Sequence, residues 1–330
     1  MNFVGFVFCA AIIFWAGRKL SHYGELMADL TGMGRAWIGL VLMSTVTSLP
    51  ELMVGISSSA IVQSADLAVG DILGSCACNL AILSLMDVFT PKHKPLFSGL
   101  SQSHILAASF GIILLGMCGV GIFLTEEIMI VPSMAFTSVG FAVTYFISVH
   151  TMYKYQKKIH QDFSTHKASS HEGNLKPVLI KYFLFATVIT GAALALPYFA
   201  EHIAEEAGIS KSFAGTLFLA VSTSLPEISV SVAAVGTGSP DMAAGNLVGS
   251  NIFNIFILFI DDVVYTKGHL LKHSNDMHLL SVLFVMSMSA IVIIGLIYPS
   301  RPKKFAIAAT PFIILLLYLT SIFLLYHLTS

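Results

Sequence analysis

Charge is what this sequence has least of. Only 11% of its 330 residues are Asp, Glu, Lys or Arg, where a soluble domain carries about a quarter. That scarcity excludes an ordinary water-soluble globule. The formal net charge of −1 gives no reason to expect nucleic acid, and none is expected as a partner. Four cysteines, in a chain without secreted, loop-rich character, do not make a disulfide framework. No Glu-x-x-His and no Gly-x-Ser-x-Gly occurs, so the chain offers neither signature for a membrane hydrolase and is not expected to be an enzyme. Before its first apolar run, Met1-Asn-Phe-Val-Gly-Phe lacks the basic stretch of a signal peptide and reads as the start of a span.

Apolar residues fill the space that charge leaves. They make up 56% of the chain, and the mean hydropathy is +0.84. The apolar runs lie near the ~20 residues that cross a bilayer as a helix. They read as ten spans: 2–17, 36–62, 67–89, 103–124, 128–150, 178–200, 212–236, 243–265, 278–298 and 305–326. The expected fold class is an all-α polytopic membrane protein with ten transmembrane helices. Alternating the connections across the bilayer puts fourteen basic residues on one side, among them Arg18, Lys19, Arg35, Lys154, Lys157 and Lys158. The other side keeps three, Lys211, Lys267 and Lys272. By the positive-inside bias, both termini lie outside and the polar linker 151–177 is cytoplasmic. The location expected is the plasma (inner) membrane, with the linker joining five-helix halves 1–150 and 178–330.

Two stretches repeat. Thr47-Ser-Leu-Pro-Glu51 returns as Thr223-Ser-Leu-Pro-Glu227, and Gly74-Ser-Cys-Ala-Cys-Asn79 returns as Gly249-Ser-Asn-Ile-Phe-Asn254. The repeats cover about 36–89 and 212–265. They begin on spans two and seven, five crossings apart, so they run through the membrane in opposite directions. Inverted repeats of this kind place a transported substrate near the midplane.

The repeated residues suit a hard cation. Glu51 and Glu227 lie far from the ends of their spans, where an ionised carboxylate is expensive and by default marks a site. Pro50 and Pro226, placed within helices, would free the carbonyls of Val46 and Ser222. Thr47 shares a helix face with Glu51, as Thr223 does with Glu227; Ser75 with Asn79 and Ser250 with Asn254 repeat that spacing. Gly74 and Gly249 would let their helices approach closely. Taken singly, such Pro, Ser and Gly residues are packing residues. A buried acid appearing twice is not explained by packing. Carboxylates, amides, hydroxyls and carbonyls are all oxygen ligands, which favours Na⁺ or Ca²⁺ over a transition metal.

At these residues the chain resembles the calcium/cation antiporter superfamily, the sodium/calcium exchangers and their prokaryotic relatives. Their repeats read G-T-S-L-P-E, then G-N-x-x-G-S-N-x-x-N/D. The resemblance implies a secondary antiporter that exchanges Ca²⁺ for Na⁺, or for H⁺, by alternating access. No cofactor is implied beyond the transported ions, and the bilayer is the surrounding partner. It implies Glu51, Asn79, Glu227 and Asn254 as central cation ligands. Thr47, Ser48, Ser75, Thr223, Ser224 and Ser250 would flank them, with the backbone carbonyls of Ser44 and Ala220.

Three residues depart from that pattern. Asn254 replaces an Asp of well-studied exchangers, leaving two carboxylates, which one Ca²⁺, two Na⁺ or two H⁺ would neutralise. Cys76 and Cys78 replace polar and aromatic residues; they read as small packing residues, or as soft ligands that would admit Cd²⁺ or Zn²⁺. Asp71 stands where the second repeat has Asn246, and reads as a water-facing residue at a helix entrance or as a third acid near the pathway. Asp87 and Asp262 correspond between repeats and read as caps at span ends. His150, His160, His166 and His171 surround the linker and read as solvated, while Trp15 and Trp37 read as interfacial anchors. A cation channel using the same pocket is the rival reading. It would carry current without a counter-ion gradient.

Overall fold

The computed structural model describes residues 2–91, 93–124, 129–131, 134–163, 174–206, 222–299, 302–303 and 305–329. Its elements are α1 (Asn2–Thr31), α2 (Arg35–Thr47), α3 (Leu49–Val62), α4 (Ala65–Leu85), α5 (Ser103–Phe123), β1 (Met129–Val131), β2 (Met134–Ala135) and α6 (Phe136–Phe163). They continue as α7 (Leu175–Glu206), α8 (Leu225–Gly236), α9 (Pro240–Val264), α10 (His278–Ile297) and α11 (Ala309–Thr329). Apart from the short antiparallel pair β1–β2, the described elements are helical. Among the described residues seven helices are long and apolar enough to cross a membrane, and the bent pair α2–α3 brings eight. The N-terminal part of the span expected at 212–236 lies outside the described residues.

Several boundaries differ from the hydropathy reading, for local reasons. The expected span 2–17 ends at Arg18, but α1 continues to Thr31. Basic side chains do not stop a helix, since their stems can lie along it while the charge stays in water. Gly32, at φ +68°, does stop it. The fifth span was expected from 128, whereas α6 starts at Phe136, after the strand pair, and runs past 150 to Phe163. Ser64 caps α4 by accepting the Leu67 N–H at 3.4 Å, with Asp66 in the first turn. Pro240 opens α9 with Asp241 beside it, a favourable place for both.

The chain folds as two compact units, and neither is a sequence half. Unit 1 is Met1–Pro50 with Tyr153–Leu247; unit 2 is Glu51–Met152 with Val248–Ser330. In unit 1, α1 packs along α7 and α8. Cys9 and Ile13 meet Ala193 and Leu196, with Phe199 and Leu225 against them. Ser229 Oγ donates to the Ile13 carbonyl at 2.9 Å. Among the described residues nothing stands within 4 Å of a Cβ at Gly74, where a close approach was expected. Unit 1 makes such an approach at Gly39 and Gly245 instead. A Cβ on Gly39 would run into the Met242 carbonyl, and one on Gly245 would lie 2.6 Å from the Ala36 carbonyl. In unit 2, α10 packs on α4, α5 and α11.

Two aspartates fasten unit 2 where helices end. Asp87 accepts the N–H groups of Leu96 (2.7 Å) and Ala308 (2.8 Å), with Lys303 Nζ 3.7 Å away. Asp262 accepts the Leu270 N–H at 2.7 Å and the Ser138 hydroxyl at 2.6 Å. Both cap the loop that follows their span.

Candidate functional site

The repeated Leu-Pro-Glu does not sit inside a continuous helix. In each repeat the helix breaks two residues before the proline, at Ser48 (φ −90°, ψ 10°) and at Ser224 (φ −82°, ψ −2°). The Ser48 N–H still reaches the Ser44 carbonyl, and the Ile228 N–H the Ser224 carbonyl, each at 3.0 Å. Pro50 and Pro226 therefore occupy the first turn of a new helix, where a missing N–H is harmless. This corrects the expectation of a mid-helix proline that frees one carbonyl. It also changes the standing of the acids. Glu51 and Glu227 are first-turn residues, at the positive end of a fresh helix dipole, which favours a carboxylate. The turns flanking the first break are π-helical at Ile38–Met43 and Ser57–Val62, a rare geometry that concentrates at functional sites.

Eleven of the twelve residues singled out in the sequence are described, and all eleven are buried: Ser44, Thr47, Ser48, Glu51, Ser75, Asn79, Thr223, Ser224, Glu227, Ser250 and Asn254. Ala220 lies outside the described residues. The Ser44 carbonyl also accepts the Thr47 hydroxyl at 3.3 Å.

Within unit 1 the structure brings Ser48 to Glu227, its hydroxyl donating to Oε1 at 3.2 Å. Thr47 Oγ1 donates to Asn246 Oδ1 at 3.1 Å, and Asn246 Nδ2 donates to Ser231 Oγ at 3.1 Å. Ser224 Oγ is buried without a hydrogen-bond partner among the described residues. Within unit 2, Asn79 Nδ2 donates to Asn251 Oδ1 and Asn251 Nδ2 to the Cys76 carbonyl, both at 3.1 Å. Ser75 Oγ and Asn79 Oδ1 are buried and lack a partner among the described residues. The amide of Asn254 makes no hydrogen bond of ordinary geometry there, and the Cys76 thiol is the polar group beside it. Buried oxygens without donors are uncommon in native proteins and each needs a reason. Several of them here belong to residues of the repeated motif.

The two cysteines do not share a face. Cys76 is buried within electrostatic reach of Glu51 and Asp71. Cys78 meets Tyr318 on α11, as a step of two residues around a helix requires. Asp71 is not the water-facing entrance residue. It is half-buried, with Oδ2 fully enclosed, whereas Asp66 at the start of α4 takes the entrance role and holds His278 at 3.2 Å. Two participants escaped the sequence reading. Asn251 bridges Asn79 and Cys76, and its place inside Gly-Ser-Asn-x-x-Asn could have flagged it. Asp261 is wholly buried on α9, and its only sequence signal is an acid next to Asp262. The spacing His269-x-x-x-His273 holds no metal pair. His269 Nδ1 faces Asp262 at 3.0 Å, and His273 Nδ1 faces the His269 carbonyl at 2.8 Å. Among the described residues no three His, Cys, Asp or Glu side chains gather as a metal site.

Comparisons with known proteins show the family to which this fold belongs. The chain is 28% identical over 285 residues to the inner membrane protein YrbG of Escherichia coli, covering 83% of this chain and 85% of that one. It is 26% identical to the putative antiporter CaxA of Alkalimonas amylolytica, over 78% of each. Over a shorter stretch of 80 residues, 23% of each chain, it is 42% identical to the sodium/calcium exchanger MaX1 of Methanosarcina acetivorans. Its fold matches the solved sodium-calcium exchanger NCX_Mj, soaked with 2.5 mM Na⁺ and 0.1 mM Ca²⁺, with TM-score 0.75 and 19% identity over 97% of both chains. A family model described as "Sodium/calcium exchanger protein" matches residues 1–154 and 178–327, and the chain therefore belongs to the sodium/calcium exchanger family of membrane transporters.

Proposed function

We propose that this protein is a secondary antiporter that exchanges Ca²⁺ for Na⁺ across the plasma (inner) membrane. Its ten spans are arranged as two inverted five-helix halves, with the termini outside and the linker cytoplasmic. Glu51, Asn79, Glu227 and Asn254 are its central cation ligands. Thr47, Ser48, Ser75, Thr223, Ser224 and Ser250 supply flanking oxygens, with the Ser44 and Ala220 carbonyls beside them. The observation that carries this reading is the helix break made twice. It presents a buried glutamate in a first turn, and buried oxygens lacking donors cluster on the same motif. Carboxylate, amide and hydroxyl oxygens are the ligands that Ca²⁺ and Na⁺ take.

Proton coupling is the second reading, which the ligand count allows as it allows Na⁺. With Asn at 254, the site has two carboxylates, which bind one Ca²⁺ or two protons with the same charge. Uptake of ⁴⁵Ca²⁺ into proteoliposomes separates the two. Uptake driven by an outward Na⁺ gradient alone makes the protein a sodium/calcium exchanger, and uptake driven by an outward H⁺ gradient alone makes the glutamates proton carriers. Calcium flux without either gradient, carrying current, would instead identify a channel.

A further inference from the structure

Unit 2 holds a buried acid that the cation ligands do not use. Asp261 is 0% exposed, and neither carboxylate oxygen has a hydrogen-bond partner among the described residues. It lies against Gly55: a Cβ there would stand 2.5 Å from Oδ2 and 2.6 Å from Oδ1. Only the missing side chain of Gly55 leaves room for the carboxylate. The charged groups that act on Asp261 are Asp71 and its neighbour Asp262, both acids. Asp262 is already spent on the Leu270 N–H, the Ser138 hydroxyl and His269. Asp71 is not: its Oδ2 is also buried and without a partner among the described residues.

Helical phase aligns this pair with the proposed ligands. On α3, Glu51, Gly55 and Ser59 follow at four-residue intervals; on α4, so do Asn79, Ser75 and Asp71; on α9, Asn254 and Asp261 are seven apart. Each set lies on one face of its helix. The contacts of Gly55 with Asp261, and of Gln63 with Thr266 and Lys267, show that α3 and α9 run in the same direction. Helix α4 follows α3 through the turn at Gln63 and Ser64 and so returns the opposite way. From the ligand level, all three faces lead to the same end of unit 2, where Asp66 pairs with His278.

An ionised carboxylate with no donor and no base is the most expensive group that a membrane span can hold. A metal ion does not resolve the cost, because hard cations take six or more oxygens and two carboxylates supply too few. A proton does. We propose that Asp71 and Asp261 form a proton-binding site one helical turn from Glu51, separate from the cation ligands, which loads and releases H⁺ through the Asp66–His278 end of unit 2. The titratable groups around it are Glu51 on α3, Asp66, Asp71 and Cys76 on α4, Asp262 on α9 and His278 on α10.

The test is infrared difference spectroscopy of the full-length protein, titrated with pH in the absence of Ca²⁺ and Na⁺. It needs no transport, so its result is independent of the antiport assay. The native protein should show a protonated-carboxyl band that titrates, and Asp261→Asn should lose that component. Asp71→Asn, which keeps Asp261, should shift the pH at which the component titrates. A spectrum unchanged by Asp261→Asn overturns the proposal. Should that variant not fold, an unchanged titration in Asp71→Asn overturns it equally.

Discussion

The two repeats place one polar cluster each at corresponding positions, and the clusters are chemically opposite. In unit 1, Asn246 lies between Thr47 and Ser231, and its amide oxygen and amide nitrogen are both hydrogen-bonded. In unit 2 the corresponding residues are Asp71 for Asn246 and Gly55 for Ser231. The hydroxyl is gone, the amide has become an acid, and Asp261 fills the space beside Gly55. The first repeat's counterpart of Asp261 is Met86, an apolar residue. One cluster is neutral and closed; the other is acidic and short of donors. A duplicated scaffold can thus keep its helix break in both copies while one copy takes on charge that the other satisfies with amides. By contrast, Asp87 and Asp262 have kept the same capping work in both copies.

The largest effect should come from the feature that the repeats share. Changes outside the first sphere of a metal site cost about 10- to 100-fold, so Glu51→Gln or Glu227→Gln should lower ⁴⁵Ca²⁺ uptake by at least about 100-fold. Asn79→Ala and Asn254→Ala should lose less, because a neutral ligand goes. Near-normal flux in either glutamine variant would remove the assignment.

Backbone packing should separate the copies next. Gly245→Ala drives a methyl against the Ala36 carbonyl and the Leu40 amide, and should cost about 3 kcal/mol, the upper range for overpacking. At its counterpart Gly70, a Cβ meets only the His278 ring among the described residues, at 3.3 Å, and the alanine variant should be close to native. Thermal unfolding in detergent measures both, and equal losses would contradict the asymmetry. Smaller again, Asn246→Ala removes the Ser231 hydroxyl's donor and one of the acceptors of the Thr47 hydroxyl, and should cost about 2 kcal/mol. Asp71→Asn removes a charge that has no donor and should not destabilise; a loss as large as that of Asn246→Ala would show that Asp71 is structurally paired after all. Cys76→Ala should cost less than Asn246→Ala, at about 1 kcal/mol for a small buried group. Unchanged Cd²⁺ inhibition in that variant would leave Cys76 as packing alone.

Much of this was legible in the chain itself. Low charge and long apolar runs fix a helical membrane protein, because a helix satisfies its own backbone in lipid whereas the strands of a barrel are shorter and alternate in polarity. The repeat of Thr-Ser-Leu-Pro-Glu marked the buried acids because spacing survives where surrounding residues drift. What the chain could not reveal depends on which faces meet. Whether Pro50 kinks a helix or opens a new one was decided by the break at Ser48, which packing sets. The fate of Asp71 was decided by the absence of a side chain at Gly55 and the arrival of Asp261 from nearly two hundred residues away. Periodicity in sequence assigns a residue to a face of its own helix; only the tertiary structure says what that face is pressed against, and that determines whether a buried acid is held, neutralised or left to bind an ion.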